Sequence, residues 1–227
     1  MDGILPAAGA ASRMRGIPKF LLPCTTSYKT LLERHLEEML KYCDIVWIPT
    51  RPELVNLLQS LGLSSDRVVI MSVSTKTMTE TVMHVVNVAS AGEFMLCMPD
   101  TFFSQDLPYE RLQNLEGDVM FACWKIRQDQ KGKLGQVLFD DTPQEATPIK
   151  HSIDKDSNCD YPHAWGALSF NRRFIQLGNP DMSHVGYIIN PAIKAGLQVN
   201  GFSLSGDYYD CGTPKEYVQL LKEFDHE

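Results

Sequence analysis

Arg13, Arg15 and Lys19 bring three cations within seven residues in a chain whose formal net charge is -7. They close a run of small residues, Leu5-Pro6-Ala7-Ala8-Gly9-Ala10-Ala11-Ser12. Small side chains let a backbone wrap closely around an anion and aim its N–H groups at phosphate oxygens. A triphosphate suits that combination, because amides orient it while Arg and Lys neutralise its charge. The candidate donor site is therefore Ala7, Ala8, Gly9, Ala10, Ala11 and Ser12, with Arg13 and Lys19 as the cations that act on the phosphates. The repeated alanines imply ordinary negative-φ backbone, at Ala11 as elsewhere. Neither the Walker spacing nor the three-glycine dinucleotide fingerprint is present. A flexible small-residue turn with solvated charges accounts for the loop alone equally well.

Two distant aspartates form the second constellation. Asp100 follows the apolar run Phe94 to Met98, and Asp210 sits in Tyr208-Tyr209-Asp210-Cys211-Gly212-Thr213-Pro214. Mg²⁺ takes one or two carboxylates together with phosphate oxygens and water, so Asp100 and Asp210 are the candidate metal ligands. Each also reads as a cap, Asp100 for Thr101-Phe102 and Asp210 for the helix at Pro214. The six histidines show no metal-ligand spacing. Lys155, between Asp154 and Asp156, offers a cation for a second phosphate, and a surface charge run is the plain alternative.

These residues need a scaffold, and the apolar spacing supplies one. Gly3 to Pro6, Asp44 to Pro49, Arg67 to Val73 and Phe94 to Met98 read as strands. Helical spacing falls between them at Thr30 to Tyr42, Glu53 to Leu61 and Thr79 to Ala91. Alternation of that kind predicts an α/β fold with a doubly wound, mostly parallel central sheet. Asp100 then lies at the carboxyl edge, where such sheets bind ligands. After about residue 115 the rhythm turns β-rich: Val119 to Ile126, Gly135 to Phe139, Ile149 to Ile153 and Ala164 to Phe170, with a terminal helix over Lys215 to Phe224. No linker separates these parts, so 1–227 is one domain, with an NTP-binding half of about 1–115 and an acceptor-binding half of about 116–227. Thr77 or Thr79 reads as the N-cap of the third helix.

Composition narrows the class further. At 227 residues, 44% of them apolar, the chain can bury a full core. The acidic balance argues against a nucleic-acid partner. No apolar run approaches membrane-spanning length, and the N-terminus lacks a cationic leader. Six scattered cysteines without a C-x-x-C read as small hydrophobes in a reduced, cytoplasmic protein. A homo-oligomer is compatible with the sequence.

Leu5 to Met14, followed by Pro18-Lys19-Phe20-Leu21-Leu22-Pro23, resembles the first-strand signature of the sugar-phosphate nucleotidyltransferases, L-A-G-G-x-G-T-R-[LM] and then P-K or S-K. Ala11 stands where that signature has glycine. Met98-Pro99-Asp100 and Asp210-Cys211-Gly212-Thr213-Pro214 resemble the family's two metal-binding positions, the second of them D-x-G-T-P. Gly135-Gln136-Val137, Ile153-Asp154-Lys155 and Trp165-Gly166-Ala167 resemble its G-x-V, E-K-P and G-hydrophobic elements. Here Asp154 replaces the glutamate and Asp156 the proline. The segment Gly16 to Lys19 is also similar to the molybdenum-cofactor and isoprenoid cytidylyltransferases.

The resemblance implies an enzyme that joins an NMP from an NTP to a sugar 1-phosphate and releases pyrophosphate, with Mg²⁺ as cofactor. It implies that Arg13 and Lys19 grip the NTP phosphates and that Asp100 and Asp210 hold the metal. It gives Gly135, Asp154, Lys155 and Gly166 to the acceptor, with Asp154 on sugar hydroxyls and Lys155 on the acceptor phosphate. Its partners are an NTP and a small phosphorylated substrate. Two alternatives stay open: a cytidylyltransferase of the same fold acting on another phosphorylated alcohol, and a silent homologue that binds nucleotide-sugars.

Overall fold

A computed structural model describes residues 1–142 and 145–224. Nine strands make one mixed sheet in the order β3-β2-β1-β4-β9-β6-β10-β8-β7. They are β1 (Asp2–Ile4), β2 (Val46–Thr50), β3 (Val68–Ser72), β4 (Glu93–Cys97), β6 (Val119–Lys125), β7 (Gly135–Phe139), β8 (Thr147–Asp154), β9 (His163–Asn171) and β10 (Val199–Ser203). Strands β1 to β4 are mutually parallel, and β6 is parallel to β10. Antiparallel β9 joins β4 to β6, and antiparallel β8 joins β10 to β7. Seven strands thus share one direction, with β8 and β9 reversed. The β-rich half is an extension of the same sheet.

Side-chain alternation divides the core between the two faces of the sheet. Helices α1 (Leu31–Met39) and α2 (Pro52–Ser60) cover one face, where Leu32, Leu36, Met39 and Leu58 pack with Leu5, Met95 and Cys97. Helix α3 (Met78–Val88) covers the other, where Val82, Val85 and Val86 pack with Ile4, Phe94 and Leu96. The order β3-β2-β1-β4 therefore reverses between β1 and β4, the switch point at which doubly wound sheets open a crevice. Because β1 and β4 run parallel in the register Ile4↔Leu96, the loop after Ile4 and the turn at Pro99-Asp100 leave the sheet at the same edge.

The helix ends follow their capping chemistry. Thr30 and Glu33 form a reciprocal capping box at α1, and Thr77 caps α3 by accepting from the Glu80 amide at 3.0 Å. Gly62, with φ of +71°, terminates α2. Elsewhere the sequence pattern was incomplete. A two-stranded ribbon, β5 (Thr101–Phe103) with β11 (Tyr208–Asp210), and four short helices escape it: α4 (Tyr109–Gln113), α5 (Arg172–Gln176), α6 (Ile189–Lys194) and the 3-10 turn Val185–Ile188. Each is too short for its period to emerge. The terminal helix α7 covers Pro214–Phe224.

All six cysteines are buried and none forms a disulfide. Among the described residues no helix is long and apolar enough to cross a membrane.

One irregularity matters for the site. Ala122 pairs with Ala167 but Cys123 pairs with Trp165, so Gly166 is the extra residue of a β-bulge. A Cβ on Gly166 would come within 2.3 Å of Tyr208 Cε2 and 2.9 Å of Trp124 Cζ3. Gly166→Ala should therefore cost about 1–3 kcal/mol through overpacking. Chemical denaturation of the variant checks this, and an unchanged midpoint would show that the aromatic cluster yields freely.

Candidate functional site

The loop after β1 begins as a continuation of the sheet. The Leu5 amide donates to Trp47 O at 2.9 Å, the Ala7 amide to Pro49 O at 2.8 Å, and Thr50 Oγ1 donates to Ala7 O at 3.1 Å. Beyond Ala7 the ladder stops, and the amides of Ala8 to Arg13 donate to no acceptor among the described residues. A run of six N–H groups without a protein acceptor is the kind of backbone that anion-binding loops use. The chain then enters a 3-10 turn, Ser12–Met14, anchored by buried Met14.

Ala11 corrects the sequence expectation: its φ is 48° and its ψ 34°, left-handed and not negative-φ. Its carbonyl accepts from both the Met14 and Gly16 amides, at 2.9 and 3.1 Å. Closing that turn demands the reversal, and Ala carries it at the steric cost that glycine avoids.

The two aspartates are brought together by the β5/β11 ribbon. Its register sets Tyr208 opposite Phe103 and Asp210 opposite Thr101, and the Cys211 amide donates to Asp100 O at 3.1 Å. Buried His35 secures the ribbon from below. Its Nε2 donates to Thr101 O at 2.7 Å and its Nδ1 accepts from the Tyr109 hydroxyl. Burial depresses its pKa to about 4, so it stays neutral and structural.

Lys19 Nζ lies 3.3 Å from Asp100 Oδ2, with the Lys19 side chain only 14% exposed. Burial, and next the charge of Asp100, raise the Asp210 carboxyl to about 6, against the pull of Lys19 and Arg13. A point at the Cβ position of Gly212 would be 3.3 Å from both Arg13 Nη2 and Asp210 Oδ1. Two carboxylates and two cations therefore occupy one corner.

The acceptor candidates come from the β7–β8 hairpin. Gly135 pairs with Asp154, and the Lys155 amide donates to Leu134 O at 3.2 Å. Lys155 has a φ of 50°. A Cβ on Gly135 would sit 2.4 Å from Trp165 Nε1, so glycine there admits the indole ring. Burial opposes ionisation of Asp154, yet the close approach of the His184 imidazole, with help from Tyr187 and Lys155, holds its carboxyl below the usual value.

A cavity of about 210 Å³ collects Arg13, Lys19, Asp100, Asp154, Lys155 and Asp210, with Gly135 in its wall. A smaller cleft of about 70 Å³ lies along the loop, bordered by Ala7, Gly9 and Ala11, and shares Lys19 and Asp100 with the first. Ala8 is half-buried beside it, while Ala10 and Ser12 are exposed and border neither space. Gly166 also lies outside both. It is the bulge residue, and its neighbour Trp165 borders the larger cavity.

Sequence reasoning missed Lys133, His184, Met78 and Met98 in the cavity wall. Lys133, 3.1 Å from Glu216, was legible only as another surface cation. A larger cleft of about 930 Å³ lies elsewhere, bordered by Glu38, Asp106, Glu110 and Asp141. Arg111 and Lys125 also line it, so four carboxylates face two cations and the lining is net acidic.

The MobA-like NTP transferase domain family matches residues 3–147, more than half the chain. No curated protein sequence matches at a significant level. Among solved structures, a UDP-glucose pyrophosphorylase complexed with UDP-glucose superposes with a TM-score of 0.76 at 16% identity, over 99% of this chain and 98% of the other. A UTP-bound UGPase from Acinetobacter baumannii gives 0.75 at 14% identity, over 98% and 92%. The inositol-1-phosphate CTP transferase from T. maritima gives 0.75 at 14% identity, over 99% and 96%. At these identities the likeness establishes the nucleotide-diphospho-sugar transferase-like fold.

Two outcomes follow for stability. Ala11→Gly should remove left-handed strain of about 1–2 kcal/mol while adding about 0.4–1 kcal/mol of unfolded-state entropy. The net is a modest rise in Tm, a few degrees at most. A fall in Tm would mean that Ala11 is unstrained.

Asp210 has a folded pKa raised above its unfolded value of 3.8. Its contribution to stability is thus fully present below about pH 4 and lost as pH rises through about 6. Asp210→Asn should match wild type near pH 4 and exceed it above pH 6, by an amount on the order of 2 kcal/mol in metal-free buffer. Denaturation curves of both proteins across pH 4–8 test this, and a pH-independent difference would refute it.

Proposed function

We propose that this chain, which belongs to the MobA-like NTP transferase family, transfers a nucleoside monophosphate from an NTP to a sugar 1-phosphate and releases pyrophosphate. The observation that carries the proposal is the Lys19–Asp100 contact, common to the loop cleft and the acceptor cavity. In this reading the loop cleft takes the donor, the larger cavity takes the acceptor, and phosphorus changes partners where the two spaces meet. Structures of the same fold bound to UDP-glucose and to UTP support a nucleotide and a sugar as the ligands.

In this reading the free amides of the loop, with Arg13 and Lys19, hold the triphosphate. Lys155 holds the acceptor phosphate and Asp154 its hydroxyls. An acceptor phosphate oxygen attacks the α-phosphorus in line; a P–O bond forms there as the bond to the β-phosphate oxygen breaks. The nucleophile is already an anion, so no general base is required. Rate acceleration rests on positioning and on neutralising the departing pyrophosphate, the work of Arg13 and Lys19.

The residues also fit a divalent cation. Asp210 is raised by burial and by Asp100, so a cation between the two carboxylates would relieve a repulsion the protein otherwise carries. Mg²⁺ needs no more than two carboxylates when phosphates and water complete its shell. Among the described residues no cluster of three or more metal-ligating side chains competes for it. When bound, the ion supplies charge neutralisation at the phosphate oxygens.

Pyrophosphate release from each NTP, assayed against a panel of sugar 1-phosphates, tests the proposal. Turnover should require a divalent cation and fall roughly 10²-fold or more in Asp100→Asn. Lys19→Ala should weaken NTP binding, whereas Lys155→Ala should raise the acceptor KM, each by about 1.5–3 kcal/mol. Full activity in excess EDTA would remove the metal from the scheme. Equal loss of NTP binding in the two lysine variants would remove the division between donor and acceptor sides.

A further inference from the structure

The acceptor cavity holds one more group with unused hydrogen-bonding capacity. His184 caps the 3-10 turn Val185–Ile188, where the Gly186 amide donates to its Nδ1 at 3.1 Å. That bond selects the neutral tautomer with its proton on Nε2. Nε2 lies 2.9 Å from Asp154 Oδ1. Even so, neither Asp154 oxygen nor His184 Nε2 has an aligned hydrogen-bond partner. At 2.9 Å the two groups are in polar contact, without a directed bond between them. The two side chains are only 9% and 14% exposed, and both border the cavity. A buried donor beside a buried anionic acceptor, both unsatisfied, is an arrangement that a ligand completes.

The imidazole has little freedom to turn away. Tyr187 stacks on it at 4.7 Å, and Trp165 approaches it at 5.9 Å with 47° between the planes. Trp165 also lends the cavity an apolar wall.

We propose that His184 is a specificity-determining residue that donates from Nε2 to one acceptor hydroxyl while Asp154 accepts from the adjacent hydroxyl. The acceptor is then a neutral ring carrying neighbouring hydroxyls, seated against Trp165. This rests on the acceptor-cavity reading above. A hydroxyl both donates and accepts, so a vicinal diol satisfies a side-by-side donor and acceptor. A quaternary ammonium would match Asp154 by charge and Trp165 by its ring face, but it accepts no hydrogen bond and leaves Nε2–H buried and unpaired.

His184→Asn separates the two functions of the residue. The amide oxygen can still accept from the Gly186 amide, while nothing reaches the position of Nε2. Kinetics at a saturating concentration of the best NTP would use glucose 1-phosphate, its singly deoxygenated analogues, inositol 1-phosphate and phosphocholine. The variant should raise the acceptor KM about tenfold with the NTP KM unchanged. One deoxy analogue should lose about tenfold in wild type and nothing further in His184→Asn. His184→Gln, which keeps a donor near Nε2, should restore dependence on that hydroxyl.

Equal, additive losses for every analogue would make His184 merely structural and overturn the inference, leaving the sugar 1-phosphate reading intact. Turnover of inositol 1-phosphate but not of glucose 1-phosphate, with His184→Asn again raising only the acceptor KM, would overturn that reading and leave the inference standing. Preference for phosphocholine, or no turnover of any acceptor, would overturn both.

Discussion

Two carboxylates share a confined corner of this protein, and much of its architecture serves to keep them there. Asp100 and Asp210 are 110 positions apart in the chain and meet only because the β5/β11 ribbon fixes their register. Burial first, and then repulsion from Asp100, raises the Asp210 carboxyl. Lys19 and Arg13 offset part of that repulsion. The remainder is an uncompensated repulsion that lowers stability locally.

The sheet explains why the cations arrive at the same corner. Reversal of strand order between β1 and β4 opens the crevice, and parallel strands deliver the loop after Ile4 and the turn at Asp100 to one edge. Antiparallel β9 then turns the sheet, and the β7–β8 hairpin carries Asp154 and Lys155 back over the cavity. One continuous sheet therefore builds both walls.

Close approach is bought with backbone geometry at a few positions. Ala11 and Lys155 both adopt the left-handed region, at φ 48° and 50°, and both lie beside the two binding spaces. Gly135 and Gly166 leave no room for a side chain because Trp165 and Tyr208 fill it. The bulge at Gly166 offsets Trp165 from the regular register, next to the cavity it borders. Two further non-glycine residues, Arg15 and Tyr28, are also left-handed but border neither space.

The sequence by itself determined a good deal. Apolar periodicity is set by burial on two faces, so the α/β alternation of residues 1–98 and the strands at 119–170 were legible within a few residues. The cation cluster, Asp100, Asp210 and the Asp154-Lys155 pair were legible because charge in short motifs is local information. What no local pattern encodes is convergence. Only the tertiary structure decided that Asp100 and Asp210 share a ribbon, that Ala11 must reverse the chain to close its turn, and that Gly166 serves packing while Trp165 reaches the cavity. His184 shows the limit most plainly. Its loop, Asp181-Met182-Ser183-His184, carries no signature, and the residue gains meaning from Asp154, 30 positions earlier, through a contact of 2.9 Å. Burial period survives in one dimension; the pairing of distant polar groups exists only in three.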